Sequence, residues 1–397
     1  MDAHPSSKGP LVARIRLTRL LVLLFAAWAI GSACRSASPP EAPSTVVVST
    51  SRFGGLAEGS AGVEFVGLDH WLNSEPVTLA ALAAQNRVVL VDFWTYTCVN
   101  CLRTLPFLAD WHEKYADRGL TIVGVHAPEF DFEKRPENVA NAVWEQGIHY
   151  PVAQDDAMRT WDAFHNSVWP AKYLITPEGF VVYRHFGEGD YAATEEAIRA
   201  ALTDAGYDVS DIEPGGVPEP SLDRATVGIT RELYGGYERN YFPGGVYAAQ
   251  EEYYVGPDRA VLYTDLGAPR EHHQWYAQGE WRNEAEAIVH ARAADDLQDY
   301  LAFQFVARAV NVVMHPSEQT GTYEVIVELD GRPLDPDDAG PDVTFADDGR
   351  SLVTVDQPRM YRVVELSALG EHELVLRMDA EGANMYAVTF GAYTEGP

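Results

Sequence analysis

The stretch Arg87-Val-Val-Leu-Val-Asp-Phe-Trp94, running directly into Thr95-Tyr-Thr-Cys98-Val-Asn-Cys101, decides how this chain reads. Its first eight residues form a short, nearly continuous apolar run rich in β-branched side chains, the pattern of a strand buried on both faces of a sheet. Beyond the second cysteine, residues 102–116 carry Leu102, Leu105, Leu108, Ala109 and His112 at helical spacing. A strand that hands over to a helix at Cys98 places that sulfur before the helix's unpaired amides and the positive end of its dipole. This favours thiolate over thiol and makes Cys98 the expected nucleophile; Cys101, one turn further in, is placed to attack the resulting mixed disulfide.

The surroundings fit. Leu120-Thr-Ile-Val-Gly-Val125 reads as a second strand, Lys172–Ile175 and Phe180–Tyr183 as two more around the turn Thr176-Pro-Glu-Gly179, and Glu195–Leu202 as a closing helix. Alternating strands and helices with a final hairpin predict a three-layer α/β sandwich over residues 56–206. Other uses of Cys-x-x-Cys fare worse. Covalent haem attachment needs His after the second cysteine, where Leu102 stands, and a zinc site needs a further ligand pair that is not evident. A structural disulfide across two residues would constrain the unfolded chain little.

On these residues the segment 91–101 resembles the thioredoxin active-site strand and loop. The resemblance implies a thioredoxin-like fold and a catalytic set of Cys98, Cys101, Asp92 and Pro170. Asp92 matches the family's buried aspartate, which exchanges protons with the resolving thiol; a charge in a strand buried on both faces is costly without a task. Pro106 matches the proline that kinks the active-site helix, and Pro170 the proline whose preceding bond is cis. Trp94, Thr95, Thr97, Val99, Asn100 and Trp169 would surround the site. Val99-Asn100 and room for an extra helix around Glu137–Gln146 resemble the extracytoplasmic TlpA-type branch, and more narrowly the soluble part of the DipZ-like family. Val-His126-Ala-Pro-Glu-Phe130, Tyr150-Pro-Val-Ala-Gln-Asp155 and Trp169-Pro-Ala-Lys-Tyr-Leu carry that likeness. A peroxiredoxin is the near miss. Thr95 sits three residues before Cys98 as that family requires, but Val91 stands where it expects proline, and a second thiol three residues on suits disulfide exchange better.

At 397 residues two domains are expected. The 29 basic and 59 acidic residues leave both halves acidic, which argues against nucleic acid or anionic lipid as partners of the folded part. The remaining cysteine, Cys34, ends the apolar run 20–33 that follows Lys8, Arg14, Arg16 and Arg19. That is a secretory signal, and Gly31-Ser32-Ala33-Cys34 resembles a bacterial lipoprotein box in which the cysteine is lipidated. The expected organisation is a signal over 1–34, a Pro/Ser-rich tether over 35–55, the redox domain, and a linker over 207–224. The chain is then exported and membrane-anchored, by lipid or by an uncleaved signal, facing the periplasm or cell exterior.

From 225 to 397 helical periodicity gives way to short strand-like runs at 260–266, 287–294, 322–330, 351–356, 360–366, 372–378 and 385–392. They predict an all-β jelly-roll-like sandwich. It resembles the C-terminal domain of DipZ-like proteins, which has the form of a carbohydrate-binding module. Aromatic residues from Tyr234 to Tyr254 would either stack on a glycan or bury against the sandwich. Neither His272-His273 nor His290 has partners at metal-ligand spacing, so no metal is expected, and no cofactor beyond the cysteine pair. The favoured function is a dithiol reductant of disulfide-bearing exported proteins, such as apocytochromes. The resemblance implies electrons delivered by a membrane protein in trans. The rivals are a glycan- or partner-binding envelope protein with a subsidiary redox domain, a peroxiredoxin-like antioxidant, and an oxidase using the same cysteines in reverse.

Overall fold

A computed structural model describes residues 55–221, 228–240, 246–267, 269–294 and 297–393. The expected signal, nearly all of the tether and Cys34 lie outside the described residues. Among the described residues no helix is long and apolar enough to cross a membrane.

The first half is built on one mixed sheet. In chain order its elements are β1 (Asp69–Leu72), α1 (Leu79–Ala84), β2 (Val88–Trp94), α2 (Val99–Tyr115), β3 (Leu120–His126), α3 (Pro136–Glu145), β4 (Val152–Gln154), α4 (Arg159–Ala163), β5 (Ala171–Ile175), β6 (Val181–Phe186) and α5 (Tyr191–Asp204). The sheet order is β1-β4-β3-β2-β5-β6, with β2 parallel to β3 and antiparallel to β5. All seven residues of β2 are buried, as an apolar run between two neighbours and two covered faces requires. One apolar cluster lies on the α2/α5 side, around Trp94, Leu108, Trp111, Tyr115 and Ile198; the other lies around Val91, Phe93, Phe164 and Tyr173. The expected extra helix is α3.

The strands of the second half pair antiparallel. It contains β7 (Leu233–Tyr234), the short helix α6 (Tyr237–Asn240), β8 (Ala260–Tyr263), β9 (Trp275–Asn283), β10 (Ile288–His290), β11 (Tyr300–Met314), β12 (Tyr323–Leu329), β13 (Arg332–Pro333), β14 (Val343–Phe345), β15 (Ser351–Val355), β16 (Arg359–Arg377), β17 (Asn384–Met385) and β18 (Ala387–Gly391). These form one twelve-stranded arrangement. Two long strands make it continuous: β11 pairs with β16 along nearly its whole length, with β9 at its start and with β18 at its end. The runs 360–366 and 372–378, separate in the sequence reading, are one strand of 19 residues. A single core holds Trp275, Trp281, Phe303, Phe305 and Tyr361.

The described part of the segment between the halves is pinned at its start. Arg199 donates to the carbonyls of Val209 and Ile212 at 3.0 and 2.8 Å, and the Gly215 amide donates to Glu195 at 2.7 Å. The halves also share an apolar cluster, to which Tyr234, Val313, Met360 and Ala387 of the β domain contribute beside Tyr96, Val99 and Cys101.

Candidate active site

Cys98 is the N-cap of α2, in extended conformation (φ −81°, ψ 111°), and its sulfur accepts the Cys101 amide at 3.3 Å. A helix start normally places an oxygen there; a sulfur in that place meets donated N–H groups and the positive dipole end, which suit a negative charge. Cys98 is partly exposed, whereas Cys101 is buried. Burial pushes the Cys101 thiol well above the ordinary cysteine range, and a hydrogen bond with Cys98 and the negative potentials of Cys98 and Asp92 act the same way. One sulfur faces outward before the helix; the other is held as thiol behind it. Pro106 lies inside α2, about two turns beyond Cys98.

Asp92 lies in β2, 1% exposed, and its cross-strand partner on β5 is Lys172, 0% exposed. Direct pairing across an antiparallel ladder puts the two side chains on one face. Lys172 Nζ stands 3.8 Å from Asp92 Oδ1, an ion-pair distance beyond hydrogen-bond reach, and neither atom has a hydrogen-bond partner. Burial raises the Asp92 carboxyl to about 6, although the Lys172 charge pulls it down. Burial draws the Lys172 ammonium below the usual lysine range, against the pull of Asp92 and then of Cys101. Asp92 and Lys172 are thus two titratable groups held in competing states, each within electrostatic reach of the buried Cys101 thiol. Lys172 escaped the sequence reading, although the argument applied to Asp92 fits it equally, because every residue of β5 is buried.

The bond between Trp169 and Pro170 is cis. Pro170 is buried and directly precedes β5, whose Ala171 pairs with Phe93, so it borders the end of β2 near the cysteines. Trp169 is half-buried; its indole donates to the Ala127 carbonyl at 3.0 Å and its ring lies 4.3 Å from Trp161. Asp155 fixes Trp161 by accepting the amides of Arg159, Thr160 and Trp161 at the start of α4. Trp94, Thr95, Thr97 and Val99 are buried and Asn100 half-buried. Asn100 Oδ1 accepts Arg103 at 2.7 Å, Arg103 pairs with Glu188 at 2.7 Å, and its guanidinium lies 4.3 Å over the ring of Tyr393.

A second buried acid, also unread in the sequence, is Glu133 in the loop after β3. It accepts the Thr97 hydroxyl at 2.6 Å, and burial pushes its carboxyl up to about 7. His126 is fully buried; desolvation drops its imidazole to about 3, so it is neutral. In the β domain Tyr234 and Tyr253 are buried, while Tyr237, Tyr247 and Tyr254 pack against the core; Tyr241 and Phe242 lie outside the described residues.

Residues 64–184 match the AhpC/TSA family, and residues 230–391 match the thioredoxin-like C-terminal domain family. Protein DipZ of Mycobacterium tuberculosis is 32% identical over 331 residues, which cover 82% of this chain and 42% of the relative. The chain thus spans about two-fifths of the DipZ relative's length (42%). Thiol-disulfide oxidoreductase YkuV of Bacillus subtilis is 32% identical over 126 residues, covering 32% of this chain and 82% of that protein. The crystal structure of a putative thiol:disulfide interchange protein DsbE from Chlorobium tepidum aligns with 24% identity and a TM-score of 0.33, over 36% of this chain and 97% of that one. With a partly exposed sulfur capping a helix, a buried thiol behind it and YkuV matched over 82% of its length at 32% identity, the chain belongs to the thioredoxin-like thiol-disulfide oxidoreductases.

Proposed function

We propose that the protein is an exported dithiol reductant, and that Cys98 and Cys101 act as one two-electron pair on disulfide-bearing exported proteins. The observation that carries the reading is the asymmetry of the pair: Cys98 partly exposed at the start of α2, Cys101 buried behind it. The Cys98 thiolate attacks one sulfur of the target disulfide; that S–S bond breaks, a substrate thiolate leaves, and a mixed disulfide remains. Cys101 gives its proton to Asp92 and attacks the Cys98 sulfur, releasing the second substrate thiolate and leaving Cys98–Cys101 as a disulfide. The substrate gains two electrons and the pair loses two. A dithiol of a membrane electron-donor protein, acting in trans, restores the pair, and no cofactor is needed. Pro170 and Trp169 form the wall beside the pair, and Asn100 and Thr97 its rim.

The potential of the pair tests the direction. Equilibration with glutathione is expected to give a value well below the about −120 mV of a strong oxidant such as DsbA; a value near that figure would make the protein an oxidase. Assayed in parallel, insulin reduction is expected and hydrogen peroxide turnover is not. Preferential peroxide turnover would favour the AhpC/TSA reading. The glycan-binding rival needs exposed ring faces, and the tyrosines at 234 and 253 are buried. Export rests on the N-terminal signal. Mass spectrometry should find the mature chain beginning at lipidated Cys34, and an unmodified Cys34 would remove the lipid anchor.

A further inference from the structure

The loop that follows β3 is held from both sides. On the redox side Glu133 is 0% exposed and accepts three donors: the Thr97 hydroxyl at 2.6 Å, the Glu129 amide at 2.5 Å and the Phe130 amide at 3.0 Å. None of these partners is a cation, so a carboxylate sits fully buried on neutral dipoles alone, an arrangement that is expensive without a use. On the other side the β domain grips the same loop at three successive places. Glu129 accepts Tyr234 at 2.9 Å and pairs with Arg239 at 3.0 Å. The Asp131 amide donates to both oxygens of Glu286 at 3.0 Å. Tyr386 meets the rings of Phe130 and Phe132 edge-on at 5.2 and 4.9 Å.

We infer that Glu133 is a positioning residue for Cys98, acting through Thr97, and that the β domain sets its position through Glu129, so that both domains build one redox site. The inference rests on the proposed dithiol chemistry and adds a part of the chain to it. Thr97 directly precedes Cys98, and its hydroxyl has one hydrogen to give, which it gives to Glu133. When Glu133 takes up a proton on Oε1, Oε2 still accepts the two amides, and the Thr97 hydroxyl has to turn from donor to acceptor, so the hydrogen bond beside Cys98 reverses direction. Because burial brings this carboxyl to about 7, the change falls within the working range. The groups facing it are Thr95, Thr97 and Tyr96 on the redox side, and Glu129 within the loop. Arg239, Tyr234 and the nearby Glu232 stand on the β-domain side of Glu129.

The test uses the full chain with Cys101→Ser, reading alkylation of the Cys98 peptide by mass spectrometry from pH 5.5 to 8.5. The profile is expected to carry an inflection near pH 7 that Glu133→Gln removes and Tyr234→Phe displaces. Rates for the two single variants and the double variant should depart from additivity by about threefold or more. Thr97→Val should reproduce Glu133→Gln, and Thr97→Ser should restore the original profile, which separates positioning from loss of fold. An unchanged profile in Glu133→Gln and Thr97→Val, or effects that simply multiply, would overturn the inference. Insulin reduction by the unaltered protein is measured alongside. An active protein with additive variants refutes the coupling alone, whereas an inactive one refutes the redox reading itself.

Discussion

Each half of this chain buries an aspartate beside a cation, and the two pairs are built in opposite ways. In the β domain Asp299 accepts His290 at 2.8 Å and Arg292 at 2.8 and 2.7 Å, and the His290 ring's other nitrogen meets the Ala380 carbonyl at 3.0 Å. Burial alone would raise the Asp299 carboxyl, but the hydrogen bonds from Arg292 and His290 outweigh it and hold it below the ordinary range. In the redox domain Asp92 and Lys172 face each other at 3.8 Å without a hydrogen bond, and burial wins. A satisfied buried cluster stiffens a fold; an unsatisfied one keeps its proton negotiable. On the proposed mechanism the contrast separates a group that serves structure from one that serves chemistry.

The strongest way to break this contrast is to remove the chemistry outright. Cys98→Ala is expected to abolish disulfide reduction with the fold intact, while Cys101→Ala should still capture substrates as a mixed disulfide and fail to release them. Covalent capture on non-reducing gels reads both; capture by Cys98→Ala would reverse the assigned roles.

Next in size is the structural aspartate. Asp299→Ala breaks the fully buried pair with His290 and removes one acceptor of Arg292, and is expected to cost about 3–5 kcal/mol. Urea denaturation should show it as a loss of stability, with disulfide reduction unaffected per folded molecule. An activity loss without a stability loss would assign Asp299 to the site and erase the distinction.

Asp92→Asn tests the other pole. Removing the base should slow resolution of the mixed disulfide by about 10²-fold at pH 7, the lower end of general acid–base effects, while first attack by Cys98 changes little. Stopped-flow mixing with a chromogenic disulfide separates the steps. Equal slowing of both would mean that Asp92 acts through the fold rather than on the Cys101 proton.

What could be read in advance follows the same division between local and distant signals. Strand β2 and helix α2 were legible because an apolar run and a helical repeat each lie within one continuous segment, and Cys98 falls at their junction. Lys172 was not, since its meaning depends on Asp92, which lies 80 positions earlier in the chain. Glu133 likewise depends on Thr97, across the loop after β3. In the β domain the stretch Ser367–Glu371 reads as a break, and the β11 register does shift there, from Ala307 opposite Gly370 to Ala309 opposite Glu365, but β16 stays one strand because β11 pairs with it on both sides of the irregularity. Strand β9 has its inward positions at Trp275, Ala277, Gly279, Trp281 and Asn283, and the glycine and asparagine obscure the apolar alternation. Gly279 is required there: at φ 103° an added Cβ would collide with the Asp299 carboxylate.

The smallest expected effect is also the sharpest in sign. The Asp92 carboxyl is raised in the folded protein to about 6 from an ordinary value of 3.8. A group raised in this way favours the folded state below its unfolded value, and that contribution is lost as pH climbs through the folded value. The fold should therefore bear a cost from Asp92 that is absent below about pH 4, grows to pH 6 and stays constant above, on the order of 3 kcal/mol. Asp92→Asn should be more stable than the unaltered protein by that amount at pH 7 and equal to it near pH 4, so that the stabilising substitution is also the one that slows the chemistry. Asp299, lowered by its hydrogen bonds, has the opposite sign: it supports the fold above the carboxylate range and loses that support as pH falls through its folded value. Thermal denaturation of Asp92→Asn and Asp299→Asn across pH 3–8 should give differences of opposite slope. Parallel curves would mean that the two buried aspartates are alike in energy, and that unpaired burial does not mark the redox site.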